Sequence, residues 1–125
     1  MGLEHQDLTG KIIAAAIEVH KKLGPGFLES IYENALVIEL QNRGLCVNQQ
    51  VDLRLTYDGA EIGRHRLDLI VEDAIVVELK AIKSIEDVHF AIVRSYLRAA
   101  GKKHGLILNF AKVTLEVKRV IANLN

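Results

Sequence analysis

The hydrophobic period of the chain changes at residue 46, and this change restricts the fold more than any other sequence feature. Before it, apolar residues recur at helical spacing in two segments that are separated by Gly-Pro-Gly at residues 24–26. Proline cannot continue a helix, and glycine tolerates turn conformations. From residue 47 to residue 55 apolar and polar residues alternate, which is typical of a half-buried strand. The sequence therefore predicts helices first and a sheet afterwards.

The rest of the pattern predicts a mixed α/β (α+β) fold, in which a central mixed β-sheet is flanked by helices in the order α-α-β-β-β-α-β-β. Asp58-Gly59 is a hairpin signal, and residues 114–121 fit either a last strand or a short helix. The helix predicted between the third and fourth strands is long enough for a crossover, which makes those two strands parallel. We expect one domain over residues 1–125, with helices at 7–22, 28–42 and 85–101 and strands at 46–55, 62–71, 75–82 and 105–110.

Composition excludes several classes of protein. The single cysteine, Cys46, excludes an intramolecular disulfide and disfavours a cysteine-based zinc site. No apolar run is long enough to cross a bilayer, and the first ten residues lack a signal-peptide pattern, so we expect a cytoplasmic protein without a membrane partner. A formal net charge of zero disfavours a protein that coats DNA or RNA, although it leaves room for a nuclease whose metal ion supplies positive charge.

Three charged residues interrupt otherwise apolar strands. Glu78 and Lys80 are two residues apart, so their side chains share one face of a strand. Asp68 lies on the preceding strand, and the turn between the strands decides whether it joins them. A two-residue turn would pair Leu67 with Glu78 and turn Asp68 away. A three-residue turn at residues 72–74 would place Asp68 across from Glu78, and this is the arrangement we favour.

Two carboxylates on adjacent strands suit a hard cation such as Mg²⁺. The cation could hold a phosphate and lower the pKa of a bound water, while the Lys80 ammonium could orient that water and offset phosphate charge. The alternative is a structural Glu78–Lys80 pair with an exposed Asp68. Charges within apolar strands favour the first interpretation, because buried charges require partners or a metal.

These residues resemble the PD-(D/E)XK nuclease superfamily, which has a restriction-endonuclease-like core and the D-x9-E-x-K arrangement found here from Asp68 to Lys80. Residues 26–32, Gly-Phe-Leu-Glu-Ser-Ile-Tyr, are similar to the signature of the GxxExxY family within that superfamily. The resemblance covers nearly the whole chain, and Leu67 stands where the superfamily name expects proline. The segments that carry it further are Val-His at 19–20, Gly-Pro-Gly at 24–26, Tyr-Glu at 32–33 and Leu-Glu-Val-Lys-Arg at 115–119.

The resemblance implies a nuclease that depends on Mg²⁺ or Mn²⁺ and hydrolyses phosphodiester bonds in DNA or RNA. Asp68 and Glu78 would bind the metal together with the backbone carbonyl of Leu79, and Lys80 would be the catalytic lysine. Superfamily members often add an acidic residue from the first core helix. We expect this to be Glu29 as a metal ligand, with Glu33 in contact with substrate or supporting the ligands. Alternatively, both glutamates favour the positive N-terminus of their helix.

Four aromatic residues complete the candidate site. His20 and His89 lie on apolar helical stripes, where a histidine is either a hydrogen-bonded core residue or, as the resemblance implies, a support for the site. Tyr32 and Tyr96 either stack on a nucleic-acid base or pack in the core with their hydroxyls bonded.

One departure from the family pattern bears on activity. The families that this chain resembles often show Gln, three residues, then Tyr, whereas here Ile92 precedes Tyr96. Isoleucine cannot hydrogen-bond a phosphate, a base or a metal-bound water. This favours an alternative function, a non-catalytic nucleic-acid-binding or protein-interaction module on a nuclease fold. A third interpretation is a partner domain that forms a homodimer, since small nucleases often need a second subunit to cut both strands.

Overall fold

The predicted order of elements is confirmed, and residues 114–121 contribute a strand rather than a helix. The computed structural model describes residues 5–124. Its elements are α1 (Gln6–Leu23), α2 (Glu29–Asn42), β1 (Val47–Tyr57), β2 (Ala60–Val71), β3 (Ile75–Lys80), α3 (Asp87–Ala100), β4 (His104–Asn109) and β5 (Glu116–Ile121). None of the helices within this described range is both long enough and apolar enough to cross a membrane.

The five strands form one sheet in the order β1-β2-β3-β4-β5. Neighbouring strands are antiparallel except for β3 and β4, which α3 connects in parallel. The predicted crossover is therefore confirmed. Asp58 and Gly59 form the tight turn between β1 and β2, and both have positive φ angles, 50° and 80°, as the favoured two-residue hairpin turn requires.

Helices cover both faces of the sheet, so β3 is buried on both sides. The helices α1 and α2 pack on one face, against residues that include Leu69, Val77 and Leu106. The helix α3 packs on the other face, against Ile70 and Val76 among others. This double burial explains why β3 has the continuous apolar character of a parallel strand, interrupted only at Glu78 and Lys80.

The turn between β2 and β3 spans residues 72–74. The strands pair Val71 with Ile75 and Leu69 with Val77. The next residues along them are Asp68 and Glu78, which are joined by a side-chain bond. The turn is held because Ala74 N–H donates to the carbonyl of Val71 at 3.0 Å. The predicted three-residue turn is confirmed, and the two-residue alternative is wrong.

Beyond Lys80 the chain is held by a buried asparagine. Asn109 lies beside Lys80 in the parallel register and is fully buried. Its amide donates to the carbonyl of Ile82 at 2.8 Å and to Glu116 at 3.0 Å. Its carbonyl accepts from the N–H of Ile82 at 3.1 Å and from that of Ala111 at 3.3 Å. The side chain thus uses both its donors and its acceptor to fix the segment that follows β3.

We expect Asn109→Ala to lower the free energy of unfolding by about 2–4 kcal/mol, because it removes these bonds, leaves part-buried main-chain groups unpaired and opens a cavity at a fully buried position. Asn48→Ala, at an exposed position in β1, is the matched control and should change it by less than about 0.5 kcal/mol. Urea denaturation measures both. Equal stabilities of the two variants would contradict the role given to Asn109.

Candidate active site

Along β2, the regular alternation of side chains between the two faces of the sheet is broken at Asp68. On β2, Leu69 packs in the layer of α1 and α2, whereas Leu67, two residues earlier, packs in the layer of α3. Regular alternation would place both leucines on one face. On the neighbouring strand β1, the ladder passes from the Gln49–Leu69 pair to the Val51–Leu67 pair. Gln50, between them, has a left-handed φ of 54°. Asp68 therefore lies where groups from both faces can approach it.

Asp68 and Glu78 replace part of the backbone ladder with side-chain bonds. The N–H of Asp68 donates to Oε2 of Glu78 at 2.8 Å. In return, Oδ2 of Asp68 accepts from the N–H of Leu79 at 2.9 Å. The structure thus brings the two predicted metal ligands together, each carboxylate bonded to the backbone of the opposite strand.

Asp68 is an acid that is costly to ionise in this position. Burial, followed by the charge of Glu78, raises the pKa of Asp68 from 3.8 to about 7. The N–H of Leu79 opposes this rise by bonding the carboxylate, while the charges of Glu33 and Glu29 add to it. The pKa of Asp68 is therefore raised by negative charge both on β3, at Glu78, and on α2, at Glu33 and Glu29.

Burial also raises the pKa of Glu78 above its ordinary value, although three neighbours oppose the rise. The N–H of Asp68 and the side chain of His65 bond the carboxylate, and the Lys80 ammonium attracts it. Lys80 is half-buried, and within residues 5–124 its ammonium has no carboxylate within ion-pair distance. The lysine is therefore close enough to act on Glu78 electrostatically while it remains available to another group.

The two acidic residues from α2 differ in how firmly they are held. Glu33 is buried, and its Oε2 accepts from the side-chain amides of Gln49 at 2.7 Å and Gln50 at 2.8 Å. Glu29 is exposed at the first residue of the helix. The sequence favoured Glu29 as the metal ligand, whereas Glu33 is the carboxylate that the structure fixes in place.

Tyr32 of α2 and His20 of α1 are both buried. Tyr32 has no exposed surface; its hydroxyl donates to the carbonyl of Gly24 at 2.5 Å and accepts from Phe27 N–H at 3.1 Å. His20 is bonded through Nε2 to the carbonyl of Lys112 at 2.8 Å. Tyr32 thus has no surface with which to contact a base, and both side chains have the bonds that a core residue requires.

The residues predicted on α3 are divided between its start and its middle. His89 closes a capping box, in which its Nδ1 accepts from the N–H of Glu86 at 2.8 Å. Ile92 is 43% exposed. One turn later, Tyr96 stacks on a residue of β2, His65, with ring centroids 3.9 Å apart and planes 13° apart. Tyr96 therefore contacts the site through His65, whereas His89 stabilises the helix.

His65 belongs to the site, and sequence reasoning missed it. Its Nε2 lies 3.2 Å from Oε1 of Glu78. Alternation along β2 would place His65 on the face opposite Asp68, and only the break in alternation brings it to the side of Glu78. The structural feature that marks this break in alternation is the positive φ of Gln50. The sequence does not indicate it, because glutamine is not a residue type that favours the left-handed conformation.

The donor atoms fit a divalent cation in part. Within residues 5–124, no three histidine, cysteine or carboxylate side chains come close enough together to hold a metal ion, so Glu29 and Glu33 do not join Asp68 and Glu78 in such a group. The two facing carboxylates present hard oxygen donors, and burial is the largest cause of their raised pKa values. A cation there would need main-chain oxygen or water for its remaining positions, which Mg²⁺ sites commonly use.

Known proteins resemble this chain in sequence and in fold. A sequence model of the PD-(D/E)XK nuclease superfamily matches residues 6–120. No curated protein matches the chain. The crystal structure of SSO0001 is similar, with a TM-score of 0.61 over 97% of this chain at 16% sequence identity. The chain spans 61% of the length of that protein chain, and a likeness at this identity shows the fold alone.

The raised pKa of Asp68 predicts how stability depends on pH. The folded protein holds this proton more tightly than the unfolded chain, so the stabilisation is complete below pH 3.8 and is lost as the pH rises towards about 7. In EDTA, the free energy of unfolding should fall over this range by on the order of 1–2 kcal/mol more for the wild type than for Asp68→Asn, after allowance for solvent screening.

Chemical denaturation at a series of pH values measures this difference. The Asp68→Asn substitution keeps a side-chain oxygen that can accept from Leu79 N–H, so it removes the charge and retains the bond. Asp52→Asn is the control, because Asp52 is exposed on β1, and it should follow the wild-type curve. Parallel curves for the wild type and Asp68→Asn would count against the assigned electrostatics.

Proposed function

The chain belongs to the PD-(D/E)XK nuclease superfamily, and we propose that it is a nuclease that uses Mg²⁺ or Mn²⁺ to hydrolyse phosphodiester bonds in DNA or RNA. The observation that carries this proposal is the pair of reciprocal bonds through which Asp68 and Glu78 face each other, with Lys80 beside Glu78 on the same strand. Three charged groups are thus concentrated where β2 and β3 are buried on both sides by apolar residues.

Each residue has a defined task in this reaction. Asp68 and Glu78 would hold the cation, with the carbonyl of Leu79 as the third ligand from the protein. A bound divalent cation supplies a Lewis acid that polarises the phosphate and makes a bound water more acidic. Lys80 donates hydrogen bonds that orient the attacking water and offset the charge developing on phosphate oxygens. The water oxygen would bond to phosphorus as the ester P–O bond breaks, while the water gives up a proton to solvent and the departing ester oxygen takes one up from solvent.

The α2 glutamates would act around this centre. Glu33 has a carboxylate fixed by Gln49 and Gln50, which suits it to orient a water bound to the cation. Glu29 is exposed at the start of the helix and would reach the cation or its waters only after its side chain turns inward. The Gly-Phe-Leu-Glu-Ser-Ile-Tyr segment at residues 26–32 supports the finer proposal that the protein is a member of the GxxExxY family.

One observation favours the second candidate function, a non-catalytic module that binds nucleic acid or another protein. Ile92 is 43% exposed on α3 and offers no hydrogen bond to a phosphate, a base or a water. Intact Asp68, Glu78 and Lys80 favour the enzyme. Binding of nucleic acid without metal-dependent cleavage would support the module instead.

The central test is cleavage by variants of Lys80. With Mg²⁺ or Mn²⁺, we expect Lys80→Ala to lower the rate by about 10²–10⁴-fold, the loss typical of a residue that positions or transfers a proton. Lys83→Ala, which removes an exposed lysine just beyond the same strand, should cleave at the wild-type rate. Labelled single- and double-stranded DNA and RNA are the substrates, with EDTA as the blank. Full activity of Lys80→Ala would overturn the assignment.

A thermal test examines the metal without requiring turnover. Ligand at 100 times its dissociation constant stabilises a folded protein by about 2.7 kcal/mol, so Mn²⁺ should raise the melting temperature of the wild type, reversibly with EDTA. In Glu78→Gln the rise should be abolished or much reduced, because the substitution removes one anionic ligand. Glu61→Gln, which alters an exposed carboxylate paired with Arg54 and Arg64, should respond as the wild type does. An unchanged rise in Glu78→Gln would exclude Glu78 as a ligand.

A further inference from the structure

The Glu78 carboxylate is held at both of its oxygens, and the two holding groups are of different kinds. Oε2 accepts from the main-chain N–H of Asp68 at 2.8 Å, and Oε1 lies 3.2 Å from Nε2 of His65. When Glu78 is ionised, as a metal ligand must be, its oxygen can only accept, and Nε2 of His65 is then the donor of this bond. Within residues 5–124, no side chain other than His65 hydrogen-bonds to Glu78.

The imidazole is itself fixed by the helix on that face of the sheet. Tyr96 of α3 stacks on His65 almost in parallel, at 3.9 Å between ring centroids. The side chain of His65 is 29% exposed, and one face of its ring is covered by Tyr96. The ring therefore has a defined plane, and its Nε2 points at Glu78.

This arrangement leaves the orientation of Glu78 dependent on one replaceable group. Each carboxylate oxygen has a second lone pair, and the direction in which those lone pairs point is set by the two bonds already made. The Asp68 N–H is part of the strand and keeps its place in any side-chain variant. His65 therefore supplies the second of the two bonds that orient the carboxylate, and it is the one that a side-chain substitution can remove.

We propose that His65 is a positioning residue that orients the Glu78 carboxylate towards the divalent cation, with Tyr96 holding the imidazole ring. The inference rests on the proposed function, since it takes Glu78 as a ligand. Mutation of a group that orients a metal ligand through a hydrogen bond typically lowers metal affinity or activity by about 10–100-fold. His65 lies on β2 and acts from the side of Glu78 that faces α3.

A purely structural role for His65 makes a different prediction. The bond would then close the gap where the β2–β3 ladder gives way to side-chain bonds. Its loss would lower the melting temperature and leave the affinity for metal unchanged. The two roles are separated by measuring Mn²⁺ binding, from the electron paramagnetic resonance signal of free Mn²⁺, together with the melting temperature in EDTA.

The informative variant is His65→Phe, which keeps a flat ring to stack on Tyr96 and removes the donor. We expect its dissociation constant for Mn²⁺ to rise about 10–100-fold, while its melting temperature in EDTA falls by only a few degrees. His65→Gln keeps a donor and should recover part of the affinity. Arg66→Lys, a charge-conserving change at the exposed neighbouring position, should bind Mn²⁺ as the wild type does.

The outcomes distinguish this inference from the proposed function. Wild-type affinity in His65→Phe overturns the positioning role, and so does a wild type that binds no Mn²⁺. If the wild type binds Mn²⁺ but cleaves no nucleic acid, the nuclease proposal fails while the affinity comparison still decides the role of His65. If His65→Phe does not fold, His65→Leu and His65→Gln provide the same comparison of a missing with a retained donor.

Discussion

The site depends on the pair of bonds by which Asp68 and Glu78 each accept from the backbone of the opposite strand. In a regular antiparallel pair, those N–H groups would bond main-chain carbonyls. Here the carboxylates take the place of the carbonyls, so the strands continue side by side while two acidic groups enter the space between them. Both donors are main-chain groups whose positions the strands set, so each bond depends on a single side chain, the carboxylate that accepts it.

The surrounding core makes this acidic pair costly and also keeps it in place. Burial and mutual repulsion raise the pKa of Asp68 to about 7, which means that ionisation of the pair opposes folding near neutral pH in the absence of a cation. The strand that carries Glu78 is buried on both faces and paired on both edges, so it cannot move away to relieve the repulsion. Asn109 also restrains the chain just beyond Lys80, through its hydrogen bonds to the main chain of Ile82. A cation would neutralise charge that the fold cannot disperse.

The order of elements could be predicted from the sequence because it follows from local patterns and from the short list of ways in which strands can be connected. The Asp58-Gly59 turn, the crossover through α3 and the order of elements follow from turn chemistry, helix length and hydrophobic period. The turn at residues 72–74 was chosen because it alone unites the charged residues, and the observed register agrees. The break in alternation at Asp68 could not be predicted, since Gln50 adopts a positive φ without a glycine or asparagine to indicate it. His65 was missed for that reason, and the fixed position of Glu33 depends on Gln49 and Gln50 on a distant segment.

The break in alternation along β2 also changes how the isoleucine at position 92 is interpreted. Considered from the sequence, the residue lacks a hydrogen bond that related helices often provide from the position four residues before Tyr96. In the structure α3 still reaches the site, because Tyr96 stacks on His65 and His65 bonds to Glu78. A polar side chain is thus supplied to the carboxylate by β2, and the helix contributes packing that holds it. Glu78 is thus bonded by a polar side chain although position 92 carries isoleucine, and the exposed Ile92 side chain takes no part in that bond.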